Sequence, residues 1–472
     1  MLNKKKPAGK RYASRLRQNT LEDDQLYAYK GLTNFLKNGK GRFAKLDGKA
    51  GTGKTYLNSV LVESLLVENT LARIAMCAPT HKAVKVLRDQ CDYYHERLGF
   101  LTIQSLLGVE HSIDQWGKEV FKPTFEGSKV KDYSIIICDE YSMLADELVD
   151  ALHQHKSVKV IFVGDINQIP PVGLQETKIA RPEVIEEWSI EEYKLTKIRR
   201  QAEGNPIIQL SLDIMADRYR KPFTNILDDG TGVEAVFTRE CDPEYVIDLL
   251  TKYFVSPKFA ADSDYVKVLA WTNKIVNAMN DHIRYMLYGE DAQNKIVLGE
   301  KLIADKPIKE DGKTIFNTNQ EFEVINFYLN TLTIGGDGEH SLDLKHYVVD
   351  VDYYTNSGRL FTYPIKILHE DSQEDFDTVS KYLKDIAINA KANGLEDWQR
   401  KQAWKDYYQF QELFARIKYN YAITAHKSQG STYDNVFVLS SDIYRNSDED
   451  SRRKIFYTAI TRAKNKLYVL TN

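Results

Sequence analysis

Cysteine is scarce in this chain: four residues, Cys77, Cys91, Cys138 and Cys241, with no C-x-x-C pair among them. That excludes a zinc knuckle or a disulfide framework, and Cys77 and Cys138 fall inside apolar runs, where thiols belong to a core. No stretch approaches 18 apolar residues, so no membrane span is expected, and the basic N-terminus lacks the apolar segment of a secretory signal. The expected location is the cytoplasm. Net charge is also small, −3 in a chain with 28% charged residues. Any nucleic-acid binding must therefore come from local clusters rather than from the total. There is no long Gly/Ser linker, low-complexity tract or short-period repeat.

What is present begins with Gly48-Lys49-Ala50-Gly51-Thr52-Gly53-Lys54-Thr55, a complete G-x-x-x-x-G-K-[ST] pattern. Strand-like Phe43 to Leu46 precedes it and helical Tyr56 to Leu66 follows, the context in which the pattern binds phosphate. Glycines let the backbone curl so that N–H groups of Gly48, Ala50, Gly51, Thr52 and Gly53 face a phosphate, and the next helix adds its positive end. Lys54 is placed for the β- and γ-phosphates and Thr55 for Mg²⁺. The expectation is ATP binding and hydrolysis.

A length of 472 residues exceeds one core and suits three or four domains. Residues 1–17 carry seven lysines and arginines and no acidic residue. Two readings remain open for this tail, a nucleic-acid arm and a solubilising extension. Apolar runs at Ile74 to Ala78, Ser134 to Cys138 and Val158 to Val163 alternate with helical stretches, predicting a parallel sheet covered by helices over residues 18–200. A second set, Tyr265 to Ala270, Val436 to Leu439 and Leu467 to Leu470, assigns another α/β domain to 201–319 and 416–472. The intervening 320–415 reads as an insertion, antiparallel β first and helical afterwards.

A second catalytic element lies at Ile135-Ile136-Ile137-Cys138-Asp139-Glu140, an apolar strand ending in two carboxylates. Asp139 is placed to hold Mg²⁺ through water and Glu140 to act as general base toward the attacking water. Gln168, in the run after Val163, stands where it can report the γ-phosphate. No further carboxylate cluster of metal-binding pattern appears, which argues against a fused nuclease.

Taken in order, these stretches resemble the superfamily 1B DNA helicases of the RecD/Dda-like group, along nearly the whole chain. The resemblance implies two RecA-like P-loop NTPase domains, a β-hairpin pin at about 109–130 and an inserted SH3-like β module. In Leu21 to Ala28, it makes Gln25 the adenine-selecting residue. Leu195 to Gln201 resembles the segment that closes the first motor and carries an arginine for the γ-phosphate, here Arg200, preceded by Arg199 where the family often has an aromatic. Tyr457-Thr458-Ala459-Ile460-Thr461-Arg462-Ala463 resembles the last motif and makes Arg462 the arginine finger.

The same likeness gives strand-contacting candidates: Thr80, His81 and Thr102 on the first motor, Thr272, His426 and Ser431 on the second. Each of these residues also suits a helix-capping or packing role. Trp404 reads either as a base stacker or as packing beside Tyr408. Trp116 and Phe121 are candidates for the apolar wedge of the pin. The implied partners are single-stranded and forked DNA, with single-stranded-DNA-binding or replication proteins, and the implied direction is 5′ to 3′. Alternatives from the residues are a protein-displacing translocase, an RNA-directed helicase, and an ATP-switched loader or adaptor that does not unwind.

Overall fold

The computed structural model describes residues 20–68, 71–91, 95–113, 119–124, 126–171, 173–199, 205–216, 232–237, 243–310, 313–335, 341–354, 359–390 and 392–471. The basic tail, Trp116 and Arg200 lie outside them. The chain forms two compact units, one made of Met1–Val109, Pro123–Val276 and Ile423–Asn472, the other of Glu110–Lys122 and Asn277–Ala422.

The first unit contains two sheets. In the first, β1 (Phe43–Gly48), β2 (Ile74–Ala78), β3 (Leu98–Thr102), β6 (Ile135–Cys138), β7 (Lys159–Gly164) and β8 (Glu191–Leu195) run in the order β3-β2-β6-β7-β1-β8. Each neighbouring pair is parallel. Alternate residues feed two different cores: Ile135, Ile137, Ile161 and Val163 pack with the helices Asp23–Asn38 and Lys54–Val67, while Ile136, Cys138, Val160 and Phe162 pack with the helix Asp146–Gln154. A sheet covered on both faces needs side chains that are apolar on both, which is why these strands are unbroken apolar runs. Cys77 and Cys138 are buried free thiols.

The second sheet of this unit has the order β18-β10-β19-β20-β9, from β9 (Val233–Phe237), β10 (Val266–Ala270), β18 (Ala422–Thr424), β19 (Tyr433–Leu439) and β20 (Ala463–Thr471). The pairs β10 with β19, β19 with β20 and β20 with β9 are parallel. Helices Pro206–Met215 and Glu449–Ile460 bury Ile207, Leu210, Ile214, Ile455, Phe456 and Ile460 against it. Two parallel α/β sheets in one unit agree with a pair of RecA-like domains.

The second unit includes the hairpin strands β4 (Val109–Ile113) and β5 (Glu119–Pro123), which pair with each other. Only the strand position of Phe121 is described, not its side chain. The unit's main sheet has the order β16-β15-β14-β11-β17, built on a long antiparallel pair, β14 (Glu321–Ile334) and β15 (Leu342–Tyr354). The outer strands are β11 (Lys301–Ala304), β16 (Leu360–Leu368) and β17 (Ile417–Tyr419), and a small pair β12 (Ile308–Glu310) with β13 (Lys313–Phe316) stands beside it. Pro364 sits in β16 at the sheet edge, where its missing N–H costs no ladder bond. Helices Gln373–Asn389 and Asp397–Gln411 contribute Phe376 and Phe410, stacked 4.6 Å apart, to a core with Leu344 and Leu368.

One buried ion pair ties this unit together. Arg284 donates through Nε to Glu300 Oε1 at 2.7 Å and through Nη2 to Oε2 at 3.0 Å, while its remaining donors take the carbonyls of Ala292 and Asn294. Tyr421 adds a bond to Glu300 at 3.0 Å. With four bonds from the guanidinium and three to the carboxylate, the charges are tolerable inside; removing one leaves the other desolvated and unpaired. Glu300→Gln is therefore expected to lower stability by about 3 kcal/mol, read as a fall in the urea midpoint of unfolding. An unchanged midpoint would mean that the pair does not hold the unit.

Candidate functional site

β1 ends in the phosphate loop, and the turn is made by Gly51 and Gly53 at φ of 82° and 85°, a region L side chains avoid. Space is short as well as conformation: a Cβ on Gly53 would lie 2.4 Å from Gln25 Nε2. The loop is held by Thr52, whose hydroxyl donates to the Lys49 carbonyl at 2.9 Å. Lys54 opens the helix Lys54–Val67, and its ammonium donates to the carbonyls of Gly48 at 2.6 Å and Lys49 at 3.1 Å. Those carbonyls keep the ammonium over the concave side of the loop.

Two strands away in the same sheet, β6 delivers Asp139, with its backbone N–H fixed on the Cys77 carbonyl at 2.8 Å. Glu140 follows in the left-handed region at φ 55°, a conformation costing a non-glycine residue on the order of 1 kcal/mol and typical of functional sites. Its backbone N–H donates to Asp139 Oδ1 at 2.9 Å. Burial, then the neighbouring Glu140 charge, push the Asp139 carboxyl up to about 7, with Lys54 and the Glu140 amide pulling the other way. Lys54 and Asp139 thus feel each other across the end of the sheet.

Unsatisfied atoms cluster here. Among the described residues, Glu140 Oε2 and Gln168 Oε1 are buried with no hydrogen-bond partner. Buried oxygens of this kind call for a donor or a cation. Among the described residues no group of three His, Cys, Asp or Glu side chains could hold a metal alone. These unpartnered oxygens, with the Asp139 carboxylate beside Glu140, are the hard oxygen donors that suit Mg²⁺ held with phosphate and water.

At the other end of the loop Gln25 is buried, its amide donating to the Thr52 carbonyl at 3.3 Å and reaching Gly53 at 3.5 Å. Beside it, burial raises and Arg199 together with the amides of Lys197 and Thr196 lowers the Asp24 carboxyl, leaving it at about 2. Arg199 also donates its backbone N–H to Gly51 at 2.7 Å and a guanidinium N–H to Thr52 at 3.1 Å. The arginine that stands where an aromatic was expected thus braces the loop at Gly51 and Thr52.

The second sheet's helix Glu449–Ile460 reaches the same loop, by a residue to which the sequence reading assigned no role. Tyr457 accepts the Ala50 N–H at 3.3 Å and donates to Asp165 Oδ2 at 2.7 Å. Arg462 is buried and turned toward its own domain, donating to the carbonyls of Thr458 at 3.0 Å and Ser431 at 3.1 Å and to the Thr461 hydroxyl at 3.1 Å. In this arrangement it makes no bond to the phosphate loop.

The strand-contacting candidates are mostly committed. Thr80 and Thr102 accept the N–H of Ala83 and Ser105 as helix caps. Thr272 donates to Asp442 at 3.0 Å, and Asp442 also takes the N–H groups of Trp271 and Thr272. Burial lowers the imidazole pKa of both His81 and His426, so both are neutral near pH 7. Ser431 is buried. Trp404 is 5% exposed, with the rings of Tyr407 and Tyr408 at 5.9 and 6.2 Å, an environment that suits the packing reading better than base stacking.

Residues 37–174 match the AAA domain family and residues 419–470 the UvrD-like helicase C-terminal domain. The chain is 26% identical to the ATP-dependent DNA helicase dda of Enterobacteria phage T4, over 90% of this chain and 93% of that protein. It is 31% identical to the ATP-dependent RecD2 DNA helicase of Deinococcus radiodurans over 44% of this chain and 28% of that one. A structure of Pif1 helicase from Bacteroides in complex with ADP-AlF3 and ssDNA aligns over 94% of this chain and 91% of that chain, with 16% identity and a TM-score of 0.46.

The Asp139 environment has a measurable signature. In the unfolded chain this carboxyl ionises near 3.8, in the folded protein near 7, so between these values the folded state binds more protons and stability falls as pH rises. Asp139→Asn removes the penalty. Without divalent cations it is expected to melt higher than the parent at pH 8, with the gap closing toward pH 4 in thermal melts across that range; a gap independent of pH would contradict the assignment.

Proposed function

We propose, on the premise that the chain belongs to the superfamily 1 helicases related to Dda and is an ATP-dependent DNA helicase, that it moves 5′ to 3′ along single-stranded DNA and opens the duplex ahead. The observation that carries the motor reading is the convergence on one loop of Lys54, the Asp139–Glu140 strand end and Tyr457 from the second sheet. Nucleotide at that loop touches groups from both sheets, so its hydrolysis changes how they are held.

In this reading the N–H groups of residues 48–53 and the Lys54 ammonium bind the phosphates, and Gln25 selects adenine with its amide. Thr55 and, through water, Asp139 would hold Mg²⁺, which when bound would supply the positive charge that lets both carboxylates ionise and that offsets charge on the transferring phosphoryl group. Glu140 orients the attacking water and takes its proton at the carboxylate whose Oε2 is otherwise unpartnered. Gln168 orients toward the same phosphate. Arg200 and Arg462 neutralise the transition state, Arg462 by exchanging its bonds to Thr458, Ser431 and Thr461 for phosphate oxygens. Thr80, His81, Thr102, Thr272, His426 and Ser431 line the strand path, and the β4–β5 hairpin with Trp116 and Phe121 forms the wedge. The inserted β unit is read as an SH3-like module that couples this hairpin to the motor. Single-stranded-DNA-binding or replication proteins are the partners in this scheme, in the cytoplasm.

Lys54→Ala is expected to abolish DNA-stimulated phosphate release through loss of ATP binding, whereas Glu140→Gln retains binding and loses about 10²- to 10⁴-fold in turnover. Nucleotide binding and phosphate release measured side by side separate the two, and normal hydrolysis by either variant would remove its assigned role.

Unwinding of matched forked duplexes with a single 5′ or 3′ loading tail tests direction. Opening of the 5′-tailed duplex alone is expected. Opening of the 3′-tailed one reverses the polarity, and ATPase without opening favours a protein-displacing translocase or a loader.

A further inference from the structure

The loop after β7 belongs to the first sheet, yet residues packed on the second sheet hold it at Asp165 and Ile169. Thr458 accepts the Ile169 N–H at 3.3 Å, and Gln429 donates to the Ile169 carbonyl at 2.8 Å. The Ile169 side chain is buried in the core of the second sheet. Tyr457, one residue before Thr458, bridges the Ala50 N–H of the phosphate loop to Asp165 at the start of that same loop. Both Tyr457 and Asp165 are buried.

From Tyr457 the contacts continue without a gap. Arg462 joins the end of this helix, through the Thr458 carbonyl and the Thr461 hydroxyl, to the Ser431 carbonyl. Next to it Gly430, at φ 72°, lies so close to the helix His81–Asp89 that a Cβ there would meet Ala83 Cβ at 2.9 Å and Thr80 Oγ1 at 3.8 Å. Thr80, His81 and Ser431 are strand-contacting candidates on the two sheets. The phosphate loop is thus one phenol away from the element that joins both halves of the strand path.

We propose that Tyr457 is a positioning residue that transmits the state of the phosphate loop to the strand-contacting loop at Gly430–Ser431, acting through its hydroxyl bridge between Ala50 and Asp165 and through Arg462. The inference rests on the helicase reading above. Movement of the Ala50 amide when phosphate binds pulls on the phenol, and the helix carries the displacement to Arg462 because Arg462 is fastened at both ends.

The test measures affinity for a fluorescent single-stranded oligonucleotide with and without a non-hydrolysable ATP analogue. The ratio of the two affinities is the coupling between sites, commonly about 5- to 150-fold. Tyr457→Phe keeps the ring and deletes the bridge; it is expected to shrink the ratio about threefold or more while oligonucleotide affinity without nucleotide stays at the parent value, and Asp165→Ala is expected to do the same. Tyr253→Phe, which deletes the buried 2.8 Å Tyr253–Tyr468 hydroxyl bond elsewhere in the same sheet, is expected to leave the ratio unchanged. A full ratio in Tyr457→Phe overturns the proposal alone, as does an equal loss in Tyr253→Phe. A parent that binds no oligonucleotide, or whose affinity ignores nucleotide, overturns the helicase reading as well.

Discussion

The nucleotide site is organised by a shortage of positive charge. Two carboxylates, Asp139 and Glu140, sit side by side at the end of a strand whose other residues are buried and apolar, and the nearest compensation is the single ammonium of Lys54. Desolvation makes the pair costly, which is why the Asp139 carboxyl ionises only near 7. A divalent cation bound with a triphosphate would correct the imbalance. The strain at Glu140 belongs to the same arrangement: the left-handed residue turns the second carboxylate out of the strand line and leaves an oxygen unpartnered.

This arrangement can persist because the sheet under it is over-determined. Alternate residues of β6 and β7 fill separate cores above and below, so a shift of one residue in register would misplace every apolar contact. The rigid strand end carries the strained turn. The phosphate loop is held differently, by bonds from outside its own strand: Arg199 at Gly51 and Thr52, Tyr457 at Ala50.

How much of this the sequence makes legible follows from range. The phosphate loop and the strand Ile135 to Cys138 can be read directly because their determinants are consecutive: glycine spacing for the turn, an apolar run for burial. The order of strands along the chain follows from the same runs. Side-chain roles that depend on distant partners are another matter. Nothing near Tyr457 indicates that its hydroxyl meets Ala50, 407 positions away, and nothing near Thr272 names Asp442. A threonine before a helix looks the same whether it caps the helix or holds a phosphate, and Thr80, Thr102 and Thr272 cap. Trp404 shows the opposite ambiguity, an aromatic stripe that suits stacking or packing, which only burial resolves. Arg199 is the instructive departure, where a charged residue replaced an expected aromatic because Asp24 and the loop carbonyls give it partners.

Capping and strand binding are compatible at one residue, and this bears on how such a surface can switch. A threonine hydroxyl that accepts a helix N–H still has its proton to donate, which Thr102 gives to Ser105 at 3.0 Å and Thr272 to Asp442 at 3.0 Å. At Thr80 the direction of that proton is limited by the cap and by Gly430 beside it, and the strand path proposed above would take it as a donor to a phosphate oxygen. Gly430 lies against Ala83 and Thr80 here, so any displacement of its loop would change access to that hydroxyl. A nucleotide-dependent grip would need a second arrangement of this loop, and the Arg462–Ser431 bond ties it to the helix that also holds the phosphate loop.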